Sequence, residues 1–151
     1  MIYFIFRFGR TRRNLVDIFT NTKNKLTKWL KKMERQEKKI DDSVEDVETS
    51  LVEYKKVKST AEDLSTGDDL NARVVKIFNQ IQVEMIWSES EMEENQIGVN
   101  LMSHRYEVLK KNVEEKQQKF VMFYDLKVCV TTKMHCALLF IFTSLLTKWP
   151  L

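Results

Sequence analysis

Apolar residues recur at alternating spacings of three and four residues along the first part of the chain. This period places one residue of each turn on the same side of an α-helix, and it is typical of a helix that packs lengthwise against other helices. Lysine and arginine fill many of the positions between. The pattern predicts a helix over residues 14–40, whose buried side consists of Leu15, Phe19, Thr22, Leu26, Trp29, Met33, Gln36 and Ile40.

The same spacing predicts a second helix over residues 43–86. Residues 41–43, Asp-Asp-Ser, supply candidate N-caps, because their side chains accept hydrogen bonds from free backbone N–H groups. The run 65–69 contains Gly67, so the pattern leaves open whether this helix is continuous or broken there. The apolar side of the helix is Val44, Val47, Leu51, Tyr54, Ala61, Leu64, Val74, Phe78, Ile81 and Met85.

A third stretch follows a polar turn at residues 87–90 and predicts a helix over residues 90–121. Its apolar spacing ends at Phe120, after which β-branched and aromatic residues follow without a heptad pattern. The apolar side is Met92, Asn95, Val99, Met102, Tyr106, Leu109, Val113, Lys116 and Phe120.

Three helices that each carry one apolar stripe must bury those stripes against one another. Short links make consecutive helices antiparallel neighbours, and a period near 3.5 favours left-handed supercoiling. The sequence therefore predicts an all-α fold, an antiparallel three-helix left-handed coiled-coil bundle over residues 14–120. We expect its core to include Leu26, Trp29, Met33, Leu51, Tyr54, Phe78, Ile81, Val99, Met102, Tyr106, Leu109 and Val113.

The positions of the aromatic residues in this segment resemble those of a spectrin repeat. Trp29-Leu30 lies in the middle of the first predicted helix, and Arg105-Tyr106 lies in the middle of the third. Leu109 and a charged stretch at 114–119 follow in the family's order, with Tyr106 standing where the family usually has Trp.

The resemblance implies a non-enzymatic function. It implies a mechanical spacer and protein-interaction module, as in spectrin, dystrophin, plakin or nesprin linkers, and one repeat from a longer array. The implied partners are cytoskeletal or scaffold proteins, including F-actin and neighbouring repeats, and the implied location is the cytoplasm in association with the cytoskeleton.

Both ends differ from this segment. Residues 1–13 are apolar and basic, with four arginines and no acidic residue, and residues 121–151 form an apolar tail. The most apolar window, 137–146, is shorter than the ~20 residues that a membrane-spanning helix needs. One interpretation is a packed or disordered tail, or translated non-coding sequence. The alternative function is a tail-anchored membrane adaptor, in which residues 128–149 contact the membrane.

Charge is distributed unevenly although the net charge is only +3. Residues 41–69 hold ten acidic residues against three lysines, so ion pairs between the first two helices are the simplest expectation. The alternative is a surface for acidic lipid or F-actin. No groove-reading motif accompanies the charge, so nucleic acid is not an expected partner. The candidate patch is Lys23, Lys25, Lys28, Lys31, Lys32, Arg35, Lys38 and Lys39.

Candidate catalytic chemistry is sparse. Three glycines and one proline favour long helices and supply no glycine-rich phosphate loop. Cys129, His135 and Cys136 do not have the spacing of a zinc module, and His104 is expected on the surface. The two cysteines provide no disulfide framework, which fits a reducing compartment. We therefore expect no catalytic, metal or cofactor site.

Overall fold

The chain is all-α. A computed structural model describes residues 2–148, and within them three helices follow one another: α1 (Ile2–Lys38), α2 (Val47–Val83) and α3 (Glu89–Thr147). No strand occurs in this described part. Each helix packs against both of the others. Residue 1 and residues 149–151, the last of the predicted tail, lie outside the described residues.

Two of the helix boundaries differ from the predicted ones at the ends of the chain. α1 begins at Ile2, so the predicted extension 1–13 continues the first helix from residue 2, and the Arg12 guanidinium donates to the carbonyl of Ile86. The prediction that the third helix ends at residue 121 is wrong, because α3 continues to Thr147. Loss of the heptad pattern after Phe120 therefore marks the end of packing, and the helix itself goes on.

Side-chain caps set the beginnings of α2 and α3. Asp46 is the N-cap of α2 and accepts from the backbone N–H of Thr49 at 3.1 Å. The expectation of a cap at residues 41–43 is therefore wrong. There, Asp41 accepts from the N–H and hydroxyl of Ser43, and these hydrogen bonds hold the pKa of Asp41 below its usual value.

A complete capping box opens α3. Ser88 accepts from the N–H of Glu91 at 3.3 Å, and the Glu91 carboxylate accepts from the N–H of Ser88 at 2.8 Å. The hydrogen bonds that the backbone N–H and the hydroxyl of Ser88 donate to this carboxylate lower the pKa of Glu91. The box fixes the start of α3 at Glu89, one residue before the predicted start.

α2 is a continuous helix through residues 65–69, because Gly67 lies inside it without a break. A Cβ atom at position 67 would lie 2.7 Å from Cε2 of Tyr106 and would also overlap the ring of Trp29. Glycine is therefore required for close packing. It does not end the helix.

The core occupies the segment between residues 15 and 120. Of the twelve residues expected in it, nine are buried, while Trp29 and Tyr54 are partly buried and pack against the core. A second, smaller cluster of Ile40, Val57 and Phe120 lies near the α1–α2 turn. The buried nine are Leu26, Met33, Phe78, Ile81, Val99, Met102, Tyr106, Leu109 and Val113.

The assignment of Leu51 to the core is wrong, because its side chain is 40% exposed. Counting back along α2 from Gly67 and Leu64 in steps of three and four residues gives buried positions that differ from the predicted apolar side. The first half of α2 is thus rotated by about one residue from the predicted register, and it buries polar groups in place of Leu51. The buried positions there are Ser50, Glu53, Val57, Thr60, Leu64 and Gly67.

We predict that Gly67→Ala lowers the free energy of unfolding by about 1–3 kcal/mol, the usual range for an added methyl group in a filled core. Gly98→Ala is the matched control. Its nearest neighbour is the flexible Nζ of Lys23 at 3.2 Å, so the higher helix propensity of alanine should give a gain of about 0.5–1 kcal/mol. Urea unfolding followed by circular dichroism compares the two variants. Equal stability of both would contradict the close-packing role of Gly67.

Candidate functional site

One aromatic contact joins all three helices near the middle of the packed segment. The rings of Trp29 on α1 and Tyr106 on α3 lie with their centroids 6.0 Å apart, and both rings lie against Gly67 of α2. Tyr106 is 1% exposed. A single contact of two large side chains therefore fixes the spacing of the three helices at this level.

The hydroxyl group of Tyr106 anchors this contact to α2. It donates to the carboxylate of Asp68 and lies 3.4 Å from the carbonyl oxygen of Leu64. Burial raises the pKa of Tyr106, and the hydrogen bond to Asp68 raises it further. The phenol is therefore neutral at physiological pH and serves as a structural hydrogen-bond donor.

Two ion pairs join α1 directly to α3. Arg105 binds Glu34 through two hydrogen bonds of 3.0 and 2.8 Å, which raise the pKa of Arg105. Lys116 binds the carboxylate of Glu37 at 2.8 Å and also donates to the carbonyl groups of Glu37 and Ile40. Because the last carbonyls of a helix have no intrahelical partners, Lys116 caps the C-terminus of α1 from a neighbouring helix.

The expected ion pairs between basic α1 and the acidic half of α2 do not form among the described residues. The two acids within the basic stretch, Glu34 and Glu37, bind cations of α3. Lys119 of α3 lies 3.5 Å from Asp42, and Lys110 lies 3.6 Å from Asp68. The simplest expectation is therefore wrong in the described part, where α3 supplies the cations that pair with Glu34, Glu37, Asp42 and Asp68.

The eight cations of the candidate patch remain on the surface, all on α1 except Lys39, which follows its last residue. Seven are exposed, and no ion pair within the described residues includes any of the eight. The eighth, Lys23, is partly buried, with its ammonium group 5.9 Å from the centre of the Phe19 ring. The seven exposed residues are Lys25, Lys28, Lys31, Lys32, Arg35, Lys38 and Lys39.

Five of these cations form one line, which we call the basic stripe. At 100° per residue they fall within about a quarter of the helix circumference, opposite to the buried positions of α1. The line extends for about 21 Å at 1.5 Å per residue. No acid of α1 interrupts it, since Glu34 and Glu37 face α3. The basic stripe is Lys25, Lys28, Lys32, Arg35 and Lys39.

A groove between α1 and α2 borders one end of the basic stripe. Its cavity has a volume of about 530 Å³, and three of its residues are lysines. Sequence reasoning missed the contribution of α2. The sequence signal that could have indicated it is Lys55-Lys56, a basic pair inside an acidic stretch. The groove is lined by Gln36, Lys39, Val52, Lys55, Lys56, Ser59 and Thr60.

The C-terminal part of α3 extends beyond the core as an exposed apolar helix. The segment Cys129–Thr147, which we call the tail helix, is 19 residues long and none of it is buried. It is long and apolar enough to cross a membrane, and it is the one such segment in the described residues. The interpretation of residues 121–151 as a packed or disordered tail is therefore wrong for the described part.

The remaining candidate residues do not assemble into a chemical site. Cys129 and Cys136 are free thiols on the exposed tail helix, and His104 is exposed on α3. In the part of the chain that the structure describes, no group of three or more His, Cys, Asp or Glu residues could hold a metal ion.

Comparison with models of known protein families found no match to this chain, and neither the curated proteins nor the solved structures that were searched include a match. The resemblance to the spectrin repeat therefore stays a prediction from the residues.

We predict that Lys116→Met lowers the free energy of unfolding by about 2 kcal/mol, because Glu37 and two helix-end carbonyls lose a charged hydrogen-bond donor. The control is Lys119→Met on the same helix, whose exposed pair with Asp42 should contribute less than about 0.5 kcal/mol. Urea denaturation of the two variants measures the difference. Equal losses would show that Lys116 acts only as a surface charge.

Proposed function

We propose that residues 14–120 form an antiparallel three-helix bundle of the spectrin-repeat type and serve as a structural spacer and interaction module of a cytoskeletal linker protein. The proposed role is non-enzymatic and is exercised in the cytoplasm in association with the cytoskeleton. Cytoskeletal or scaffold proteins, F-actin and neighbouring repeats are the proposed partners.

The observation that carries this proposal is the contact of Trp29 with Tyr106 on Gly67. These are the two mid-helix aromatics on which the resemblance rests, and they come from positions 77 residues apart in sequence to a centroid distance of 6.0 Å. Their meeting supports an alignment of the first and third helices like that of a three-helix repeat.

The direction of the helices is supported by contacts at both ends of the packed segment. Phe19, early in α1, lies 6.2 Å from Phe78, late in α2, while Ile40 after α1 packs with Val57, early in α2. Ser103 of α3 binds Asn71 of α2, and Phe120 also packs with Val57. This order favours consecutive helices that run in opposite directions.

A spacer must resist extension, and the contacts of this segment fit that requirement. The core runs along its whole length, from Leu15 to the cluster around Phe120. Residues 14 and 120 lie at opposite ends in the proposed bundle, about 40 Å apart at 1.5 Å per residue. Load applied to these two positions acts along the helices, where many packed side chains share it.

Force spectroscopy tests the spacer function. Handles are attached to the full chain through cysteines introduced at the exposed positions Asn14 and Val121, with Cys129 and Cys136 changed to serine. We expect a single lengthening of about 300 Å, since the extended chain reaches about 3.5 Å per residue. Trp29→Ala should lower the unfolding force, because loss of a large aromatic from a core typically costs about 3–5 kcal/mol.

The matched control is Trp87→Ala, in which an aromatic is lost near the α2–α3 link and the contact of the three helices is kept. Lengthening without a discrete step would contradict a cooperative bundle. A force unchanged in Trp29→Ala but lowered in Trp87→Ala would contradict the central role of the Trp29–Tyr106 pair.

A second function, a tail-anchored membrane adaptor, is favoured by the tail helix. Its 19 residues span about 28 Å at the helical rise, close to the ~30 Å of a bilayer's hydrocarbon core. Residues 138–142 are five consecutive exposed apolar residues, Leu-Leu-Phe-Ile-Phe, and successive residues 100° apart cover the whole circumference. A bilayer covers every side of such a helix, whereas one protein partner covers a single side.

We predict that the full chain, expressed in cells, floats with membranes in a density gradient after alkaline carbonate washing. The variant Leu139→Lys/Phe142→Lys should appear in the soluble fraction, because charged residues at mid-membrane are costly. The control Val83→Lys/Ile97→Lys changes two apolar residues outside the tail helix that are at least as exposed, and it should still float. Release of the unmodified chain would contradict the anchor.

A further inference from the structure

We propose that the basic stripe and the α1–α2 groove together bind an acidic helical segment of a partner protein. The proposal rests on the spacer and interaction role above and names the surface and the chemistry of the partner. The basic stripe is Lys25, Lys28, Lys32, Arg35 and Lys39, and the groove adds Lys55 and Lys56 from α2.

The first argument is uncompensated charge. Within the described residues no ion pair includes the stripe or Lys55, and Glu53, the acid next to the groove, is held by Lys56 and by the N–H of Asp41. Lys56 keeps a side chain that is 48% exposed. An anionic partner therefore meets the ammonium and guanidinium groups of the stripe and Lys55 without first displacing an internal carboxylate, and only Lys56 is already paired, with Glu53.

The second argument is shape. Cations that repeat every three and four residues form a straight line of about 21 Å, which matches the spacing of carboxylates along one side of another helix. The groove offers a recess of about 530 Å³ beside that line, with exposed Val52 and Ser59 in its wall. This recess suits one apolar or hydroxyl side chain of the incoming helix, which would set its register.

The groove also contains an unsatisfied polar group. The Oε1 atom of Gln36 is buried and accepts no hydrogen bond from the described residues. A buried amide without a partner is unfavourable. Because this atom is buried, the polar groups that the groove offers to a partner are those of Lys39, Lys55 and Lys56.

An acidic helix fits this surface better than an anionic bilayer does. Helices that lie on membranes insert an apolar side next to their cations, but the apolar side of α1 is buried against α2 and α3. The stripe itself contains no aromatic or large aliphatic residue. Beyond the groove on α2, Asp63 follows Ser59 by one turn and ends the run of positive residues.

Fluorescence anisotropy tests the proposal with the full chain in uncharged detergent micelles. The probe is a labelled helical peptide of about 20 residues that carries glutamate every three and four residues. Its control has glutamine at the same positions. We expect the glutamate peptide alone to bind, with an affinity that falls as salt rises.

The variant Lys32→Gln/Lys39→Gln/Lys55→Gln removes cations of the stripe and the groove and should weaken binding about tenfold, the sum of three modest charge contacts. The variant Lys58→Gln/Arg73→Gln/Lys76→Gln loses the same net charge from exposed positions of α2 outside the groove and should bind within about twofold of the unmodified chain. Circular dichroism confirms that both variants keep their helical content.

Three results would overturn the proposal: no binding of the glutamate peptide, equal weakening by both variants, or binding to phosphatidylserine vesicles in its place. Any of these leaves the spacer function intact, because that function is measured by extension under force. Conversely, the chain could unfold without a discrete step and still bind the peptide through the groove. That result would contradict the spacer function and support the binding surface.

Discussion

Close approach of α2 to two aromatic rings is the constraint on which the rest of the packing depends. Gly67 has no side chain, and Trp29 and Tyr106 occupy the space that a Cβ atom would need. Their contact sets the rotation of α2, and the rotation in turn decides which residues of its first half are buried. The burial of Ser50 and Glu53 and the exposure of Leu51 follow from it.

Charge is sorted by helix in a way that composition does not show. α3 contributes the cations that neutralise acids near the core, through Arg105 and Lys116. α1 is the most basic helix, yet Glu34 and Glu37 pair with α3 while the cations of the basic stripe stay in solvent. The internal pairs orient the helices, whereas the outward cations are free to meet another molecule.

The sequence predicted the all-α class and most of the core, because long stripes of apolar residues repeat over many turns and single errors average out. The prediction from the sequence failed where the position of a single residue had to be decided without a repeating pattern. From the sequence, the second helix could be broken or continuous at Gly67. Only the neighbours of Gly67 on α1 and α3 show why a glycine lies inside a continuous helix. Leu51 is apolar and fits the three- and four-residue spacing of the predicted stripe, but the side of α2 that is buried is set at Gly67, 16 residues away. The hydrogen-bond partners of Lys116 and the groove around Lys55 depend on which helices are adjacent. The spacing of residues along one helix does not show which helices are adjacent.

Because α3 is one continuous helix, a force applied to the tail helix is transmitted directly to the packed segment. A pull on the tail helix enters the packed segment through the backbone of α3 alone, at Phe120. Phe120 packs there with Ile40 and Val57. Lys116, one turn inside that point, joins α3 to the end of α1. A bundle loaded at one helix in this way passes tension to its neighbours at this end first, through the Lys116 ion pair and the small Phe120 cluster, before the larger core is strained.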